Sequence, residues 1–446
     1  GGHWTTYDYD ALNRLGNVYD QNVDDGAGNV PAAAHYAYDG VGNLSTMTYS
    51  NGVQHAYTYN TLNRLTNLTV TDALSNVLQS YSHTLNAAGH KTQVVEADGR
   101  TVNYAFDQLH RLTSETIAGS PGPLGANGVA SYAYDQVSNR LSRTSTITGI
   151  SNQSFAFHDN DQIDGSGYDY DDNGSTTQEP GGSQDVYSFD NMLIRRVNTT
   201  LGLTVDMVYS ATGDRVQKVT NGVAVNYLVD TNNHTGYAQV LEETDAAGNL
   251  EAVMVYGHDL ISQDRTDGAG GFEMSFYSYD GLGSVRGLTD SIGTSLGKVH
   301  YDAYGTEIEN TLVVNNPYLF AGERFDNDLG LYYLRARYLD VETGRFWSLD
   351  DFEGRQGEAL SLHKYLYAHA NPVGMIDPSG NMSLSEATVT VGTWLAVRLP
   401  VISPFIYLAQ RIATNLQGIR LIQLLSRPQI GTRIMEATTR QPALLR

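Results

Sequence analysis

Of the side chains that most often do chemistry, this sequence carries twelve histidines, 49 carboxylates and no cysteine. A thiol nucleophile, a thiolate zinc site and a disulfide framework are therefore excluded. No two histidines stand at the H-x-x-x-H spacing that puts two ligands on one helix face, and His363 and His369 read as packing or turn residues. No G-x-x-x-x-G-K-[ST] loop is present to cradle phosphates. No full D-x-[DN]-x-[DN]-G loop with its distal glutamate is present, which leaves calcium chelation by turn aspartates a weak reading, and no metal or cofactor is expected. The remaining candidates are carboxylates and arginines, and with aromatic residues they concentrate in one stretch. It begins Gly330-Leu331-Tyr332-Tyr333-Leu334-Arg335-Ala336-Arg337-Tyr338-Leu339-Asp340. It continues through Thr343-Gly344-Arg345-Phe346-Trp347-Ser348-Leu349-Asp350-Asp351 to Asn371-Pro372 and Asp377-Pro378-Ser379-Gly380-Asn381.

The elements that must hold this stretch are visible upstream. The phrase Tyr-x-Tyr-Asp recurs at Tyr7–Asp10, Tyr36–Asp39, Tyr132–Asp135, Tyr168–Asp171 and Tyr277–Asp280. Looser copies stand at Tyr57–Asn60, Tyr104–Asp107, Phe155–His158 and Tyr187–Asp190. Two aromatics at i and i+2 fall on one face of a strand. The aspartate ends the strand and opens a turn, with Gly or Asn at the position that needs positive φ, as in Asp39-Gly40-Val41-Gly42-Asn43. Residues 65–70 then alternate apolar and polar as a returning strand. Each repeat reads as one hairpin, and lone hairpins are marginal in water, so neighbours must pair. The 45 glycines and 30 tyrosines, with only 17% charged residues, fit many turns and many strands. The formal net charge of −22 makes the repeat region a poor grip for nucleic acid. Its tyrosine-rich faces could stack against carbohydrate, a weaker reading than that they form core.

With these phrases the chain resembles the YD-repeat, or Rhs, family, which includes the shells of bacterial polymorphic toxins, the C components of toxin complexes and animal teneurins. The stretch from Gly330 to Gly380 matches the family's core hallmark: G-L-Y-Y-x-R-x-R-Y, then G-R-F-x-S-x-D, then N-P-x-x-x-x-D-P-x-G. The resemblance implies an all-β fold of antiparallel hairpins spiralling into a full or partial shell. It assigns residues 1–314 to the shell and 315–381 to a closing core, with 382–446 as a variable tail. In the toxin branches the core cuts its own chain just after D-P-x-G, by chemistry resembling that of an aspartic protease. Two close carboxylates cannot both ionise, so one keeps a proton while the other activates water. The resemblance nominates Asp350 and Asp377, 27 positions apart, with Arg345 to hold a carboxylate or the scissile carbonyl. Cleavage is then expected between Asn381 and Met382. The chain departs from the pattern twice. Asp351 stands where many members have proline, so Asp351 could replace Asp350. Asn381 stands where many have leucine.

The tail changes character. Residues 382–446 hold seven arginines, no lysine and two acidic residues, Glu386 and Glu436. Pro400 and Pro404 interrupt its apolar runs, which makes a poor membrane span. Opposite charge to the body favours retention against the concave side of the shell. Gly1–Asp10 is already a repeat and shows no signal-peptide pattern, so further repeats or a partner shell protein are expected. The expected function is encapsulation of a C-terminal cargo with self-cleavage, in a secreted or cell-surface protein. The alternative is a non-enzymatic adhesion or scaffold module whose core is only a cap.

Overall fold

In the computed structural model, which describes residues 3–21, 30–121, 126–354, 357, 359–381 and 384–385, each Tyr-x-Tyr-Asp phrase ends a strand and turns the chain around an aspartate. At Asp39, Oδ1 accepts the N–H groups of Val41, Gly42 and Asn43 at 3.0, 2.8 and 2.8 Å. Its Oδ2 accepts the Asn43 side-chain amide at 2.8 Å. Asp135, Asp245 and Asp290 hold their turns through the same contacts two and four residues on. Gly42 supplies the left-handed position (φ 100), and Asn63 does so in the asparagine variant (φ 57).

Tyr7, Tyr9, Tyr36, Tyr38, Tyr132 and Tyr134 all lie on strands. The ladder bulges at the second aromatic of the phrase, at Tyr9, Tyr38, Tyr59, Tyr134, Tyr209 and Tyr279 among others. A bulge bends the strand and re-aims its side chain. The hydroxyl of this second tyrosine reaches back to a carbonyl of the preceding hairpin. Tyr38 donates to Leu15 at 2.9 Å, Tyr59 to Leu44 at 2.9 Å, Tyr134 to Leu112 at 2.7 Å and Tyr279 to Leu260 at 2.6 Å. The repeat thus carries its own stitch to its neighbour.

Strands pair antiparallel in sequence order. Thirteen strands from Thr5 to Ser154 form one sheet and fourteen from Asp169 to Asn310 form a second. The run of hairpins is thus divided in two. The strands at the break, Gln153–Ser154 and Asp169–Tyr170, are two residues each. Between them Asp159, Asp161, Asp164, Gly165 and Gly167 replace an alternating pattern, and only a Phe157–Ile163 bridge forms. The two sheets share cores. Leu15, Tyr36 and Met47 of the first pack with Val255, Ile261 and Phe276 of the second, and Val102, Ile117 and Tyr132 pack with Ala303 and Tyr304. Among the described residues the helical segments are three short 3-10 turns.

The motif-rich stretch builds a separate four-stranded sheet from Arg324–Asp326, Leu331–Leu334, Arg337–Asp340 and Arg345–Phe346. Polar contacts with at least one buried partner tie it to both large sheets. Glu342 takes Arg143 of the first sheet at 2.6 Å. Trp347 Nε1 donates to Asp185 of the second at 2.7 Å, and Asp326 accepts Arg215 and Lys218, the latter at 3.0 Å. Such pairs fix position, because breaking one leaves an uncompensated buried charge.

Candidate functional site

The strands Leu331–Leu334 and Arg337–Asp340 form a hairpin closed by Arg335 and Ala336, with Arg335 in the left-handed region (φ 58). The turn of Asp377 to Gly380 docks on this hairpin tip. Ala336 N–H donates to the Ser379 carbonyl at 3.3 Å, and Arg335 donates to the Pro378 carbonyl. Gly380 has φ +75, and a Cβ there would run into the Leu334 carbonyl and stand 3.0 Å from Arg337 N. Only glycine lies this flat on the tip.

Arg337 is the centre of the arrangement. Its guanidinium donates to Asp350 Oδ2 at 2.7 Å and stands 3.7 Å from Asp377 Oδ2, both through one nitrogen. It also donates to the Gly380 carbonyl, to the Lys364 carbonyl at 3.1 Å, and lies 3.6 Å over the Phe346 ring. Asp377 Oδ1 accepts the Ser379 hydroxyl at 3.0 Å and the Asn381 N–H at 3.1 Å. The Gly380–Asn381 peptide group is therefore held at both ends: its oxygen by Arg337 and its N–H by Asp377. Asp350 Oδ1 accepts the Phe352 N–H at 2.8 Å, and its backbone N–H donates to Lys364 at 2.9 Å.

Burial pushes the Asp350 carboxyl above its ordinary value. Arg337 and the Phe352 N–H pull it back, and Asp377 pushes it up again. Burial likewise lowers Arg337 despite the attraction of Asp350 and Asp377. The site holds two carboxylates about one guanidinium, beside a fixed peptide group. Its chemical repertoire is proton exchange between the carboxylates and hydrogen bonding to a carbonyl oxygen.

The structure brings Asp350, Asp377 and Asn381 together. Asp351 is exposed beside them. Arg345 is elsewhere: it donates to the Asp161 carbonyl at 2.5 Å and stacks 4.5 Å over Tyr365 and 5.0 Å over Phe157. It pins the segment between the two large sheets, and the role expected of it at the carboxylates is filled by Arg337. The signal for Arg337 was present in the R-x-R phrase, but nothing in the sequence tells which arginine faces the aspartates. Met382 and the tail, apart from the Leu384–Ser385 backbone paired with Met375–Ile376, lie outside the described residues.

No family model matches the chain. The chain is 32% identical over 260 residues to the tRNA3(Ser)-specific nuclease WapA of Bacillus spizizenii, covering 57% of this chain. It is 31% identical over 260 residues to the tRNA nuclease WapA of Bacillus subtilis. A shorter match, 36% over 106 residues, joins it to the double-stranded DNA deaminase toxin A of Burkholderia cenocepacia. It spans 11% of the length of the two nucleases, which are far longer proteins. Among solved structures, the TcdB2-TccC3-Cdc42 structure superposes with a TM-score of 0.70 over 90% of this chain and 21% of that one, at 17% identity. The TcdB2-TccC3 structure gives 0.69 over 85% and 21%, also at 17% identity.

Proposed function

This chain is a YD-repeat protein of the Rhs type, and from that premise we propose that its sheets wall in its own C-terminal segment and that the closing core frees that segment by cutting Asn381–Met382. The observation that carries the reading is the convergence of Asp377 and Arg337 on the peptide group of Asn381, one residue before the bond to be cut, with Asp350 held on the same guanidinium. In the proposed step a water oxygen attacks the Asn381 carbonyl carbon while one carboxylate of the pair takes the water's proton. The other, protonated, carboxyl gives its proton to the departing Met382 nitrogen. The products are a carboxylic acid at Asn381 and an amine at Met382, which become a carboxylate and an ammonium when the acid passes its proton to the amine, and the aspartate pair is left with one proton, as it began. Arg337 and the Asp377–Asn381 hydrogen bond hold the chain in register for that attack. The nuclease and deaminase names of the relatives support an enzymatic toxin as the enclosed class, in a secreted or surface-exposed protein.

Intact-mass measurement of freshly purified protein tests the reading. Two fragments parted at Asn381–Met382 are expected, and Asp377→Asn, nearly the same size, should leave one chain with an unchanged β circular-dichroism spectrum. General acid–base groups contribute about 10²- to 10⁴-fold, so cutting should fall from complete to barely detectable. Asp350→Asn should do the same and Asp351→Asn should not. A wild-type chain that stays whole would make the core a cap, and the scaffold or adhesion reading would replace this one.

A further inference from the structure

A cavity of about 420 Å³ lies between the second large sheet and the closing core, bordered by the turn that carries Asp377. Tyr227, Tyr237, Tyr256 and Tyr318 form its wall, completed by Ile376 and Pro378. The arginines that reach it are already neutralised: Arg215 by Asp326, Arg324 by Glu243, and Arg335 by Glu323 at 2.9 Å. Asp259 is not. Its carboxylate is exposed at the cavity and makes no hydrogen bond or ion pair among the described residues. The surrounding protein pushes its carboxyl up to about 6, and no cation draws it back. Three other polar atoms at the cavity, the Tyr227 hydroxyl, His234 Nε2 and His258 Nδ1, are buried and unpartnered among the described residues. Burial holds His258 down at about 3 and lowers His234, so neither histidine supplies the missing cation. The wall is apolar and aromatic, the uncompensated charge is negative, and the fitting occupant is a cation on an apolar stem.

This chain supplies one. The backbone passes along the cavity at Ile376 and Pro378, and Met375–Ile376 pairs with Leu384–Ser385, which returns the chain to the same wall. The 61 residues after Ser385 hold seven arginines against Glu386 and Glu436, and no lysine. We propose that this cavity is the seat of an arginine side chain from segment 386–446, its guanidinium paired with Asp259 and its stem lying against the tyrosines. A planar guanidinium loses less on leaving water than an ammonium and stacks on aromatic rings, which suits this wall. The volume is that of a small-ligand pocket, enough for one long side chain and its neighbours. The inference rests on the reading that the C-terminal segment stays with the shell, and it gives that segment an address.

The test places p-azidophenylalanine at Tyr237 in the full chain, which carries the photoreactive group into the cavity without requiring a reagent to enter. It is run in the wild-type and Asp377→Asn backgrounds, with intact mass read in parallel. A failure of self-cleavage then shows separately from a failure of docking. Peptide mapping after photolysis should find the cross-link on a peptide from residues 386–446. Asp259→Asn should lower its yield at least ten-fold, and so should glutamine at all seven tail arginines. Combining the two should add nothing, because each removes half of one pair. Cross-links confined to the cavity's own walls, or a yield indifferent to Asp259, would overturn the proposal.

Discussion

Replacing Arg337 with methionine keeps an unbranched stem against Phe346 and removes the charge. The guanidinium makes a 2.7 Å contact to Asp350, a 3.7 Å approach to Asp377 and a 3.1 Å bond to the Lys364 carbonyl, and it also holds the Gly380 carbonyl. Its loss leaves Asp350 and Asp377, 9% and 2% exposed, without the guanidinium that stands between them. Breaking a buried pair in this way costs about 3–5 kcal/mol when the remaining charge cannot escape. Asp350 can escape by taking a proton. Burial already raises its carboxyl, and in the variant it should rise further above the unfolded value of about 3.9. A group raised in this sense contributes stability that is present below the unfolded value and is lost as pH rises through the folded one. Arg337→Met should therefore cost about 3–5 kcal/mol at pH 7 and much less near pH 4, where only the hydrogen bonds, about 1 kcal/mol each, are missing. Urea denaturation followed by the fluorescence of Trp347, buried in the core sheet, measures this at both pH values. A loss below about 1 kcal/mol, or one equal at pH 4 and pH 7, would mean that Arg337 does not neutralise the aspartates.

Glu115 offers a second pH test: burial, reinforced by Asp302, pushes its carboxyl up to about 8 against the Ala303 N–H and Arg100. Its contribution is full below about 4.5 and is lost as pH rises to about 8, so Glu115→Gln should flatten the fall of the denaturation midpoint over that window and surpass wild type at pH 9. Gly380→Ala should cost at least about 1–2 kcal/mol through its left-handed backbone alone, and the clash with the hairpin tip should slow the appearance of fragments in an intact-mass time course. Tyr279→Phe removes the 2.6 Å bond to the Leu260 carbonyl and should lower stability by about 1 kcal/mol in a thermal melt; no change would show that the stitch between hairpins is dispensable.

The hairpins were readable because each depends on local rules that agree. Tyr36 and Tyr38 alternate correctly for a strand, Asp39 caps the turn through its own side chain, and Gly42 takes the positive φ. What escaped the sequence was long-range. The bulge at the second tyrosine follows from the twist of a paired ladder, and the break at residues 155–168 follows from two strands too short to continue one. The arginine at the aspartates turns on a register that no local rule supplies. In the antiparallel pair of Arg337–Asp340 with Arg345–Phe346, Leu339 stands opposite Phe346 and Asp340 opposite Arg345. Side chains alternate faces along a strand, so Arg337 shares the face of Leu339 and Phe346, and Arg345 shares that of Asp340. The 3.6 Å stacking of Arg337 on Phe346 is the direct consequence. Asp350 and the Asp377 turn meet the Phe346 side, while Asp161 and Tyr365 meet the other. A slip of one residue in this pair would turn Arg345 onto the face of Arg337. The pairing of Leu339 with Phe346 therefore keeps Arg345 away from the aspartates and leaves Arg337 as the guanidinium they receive.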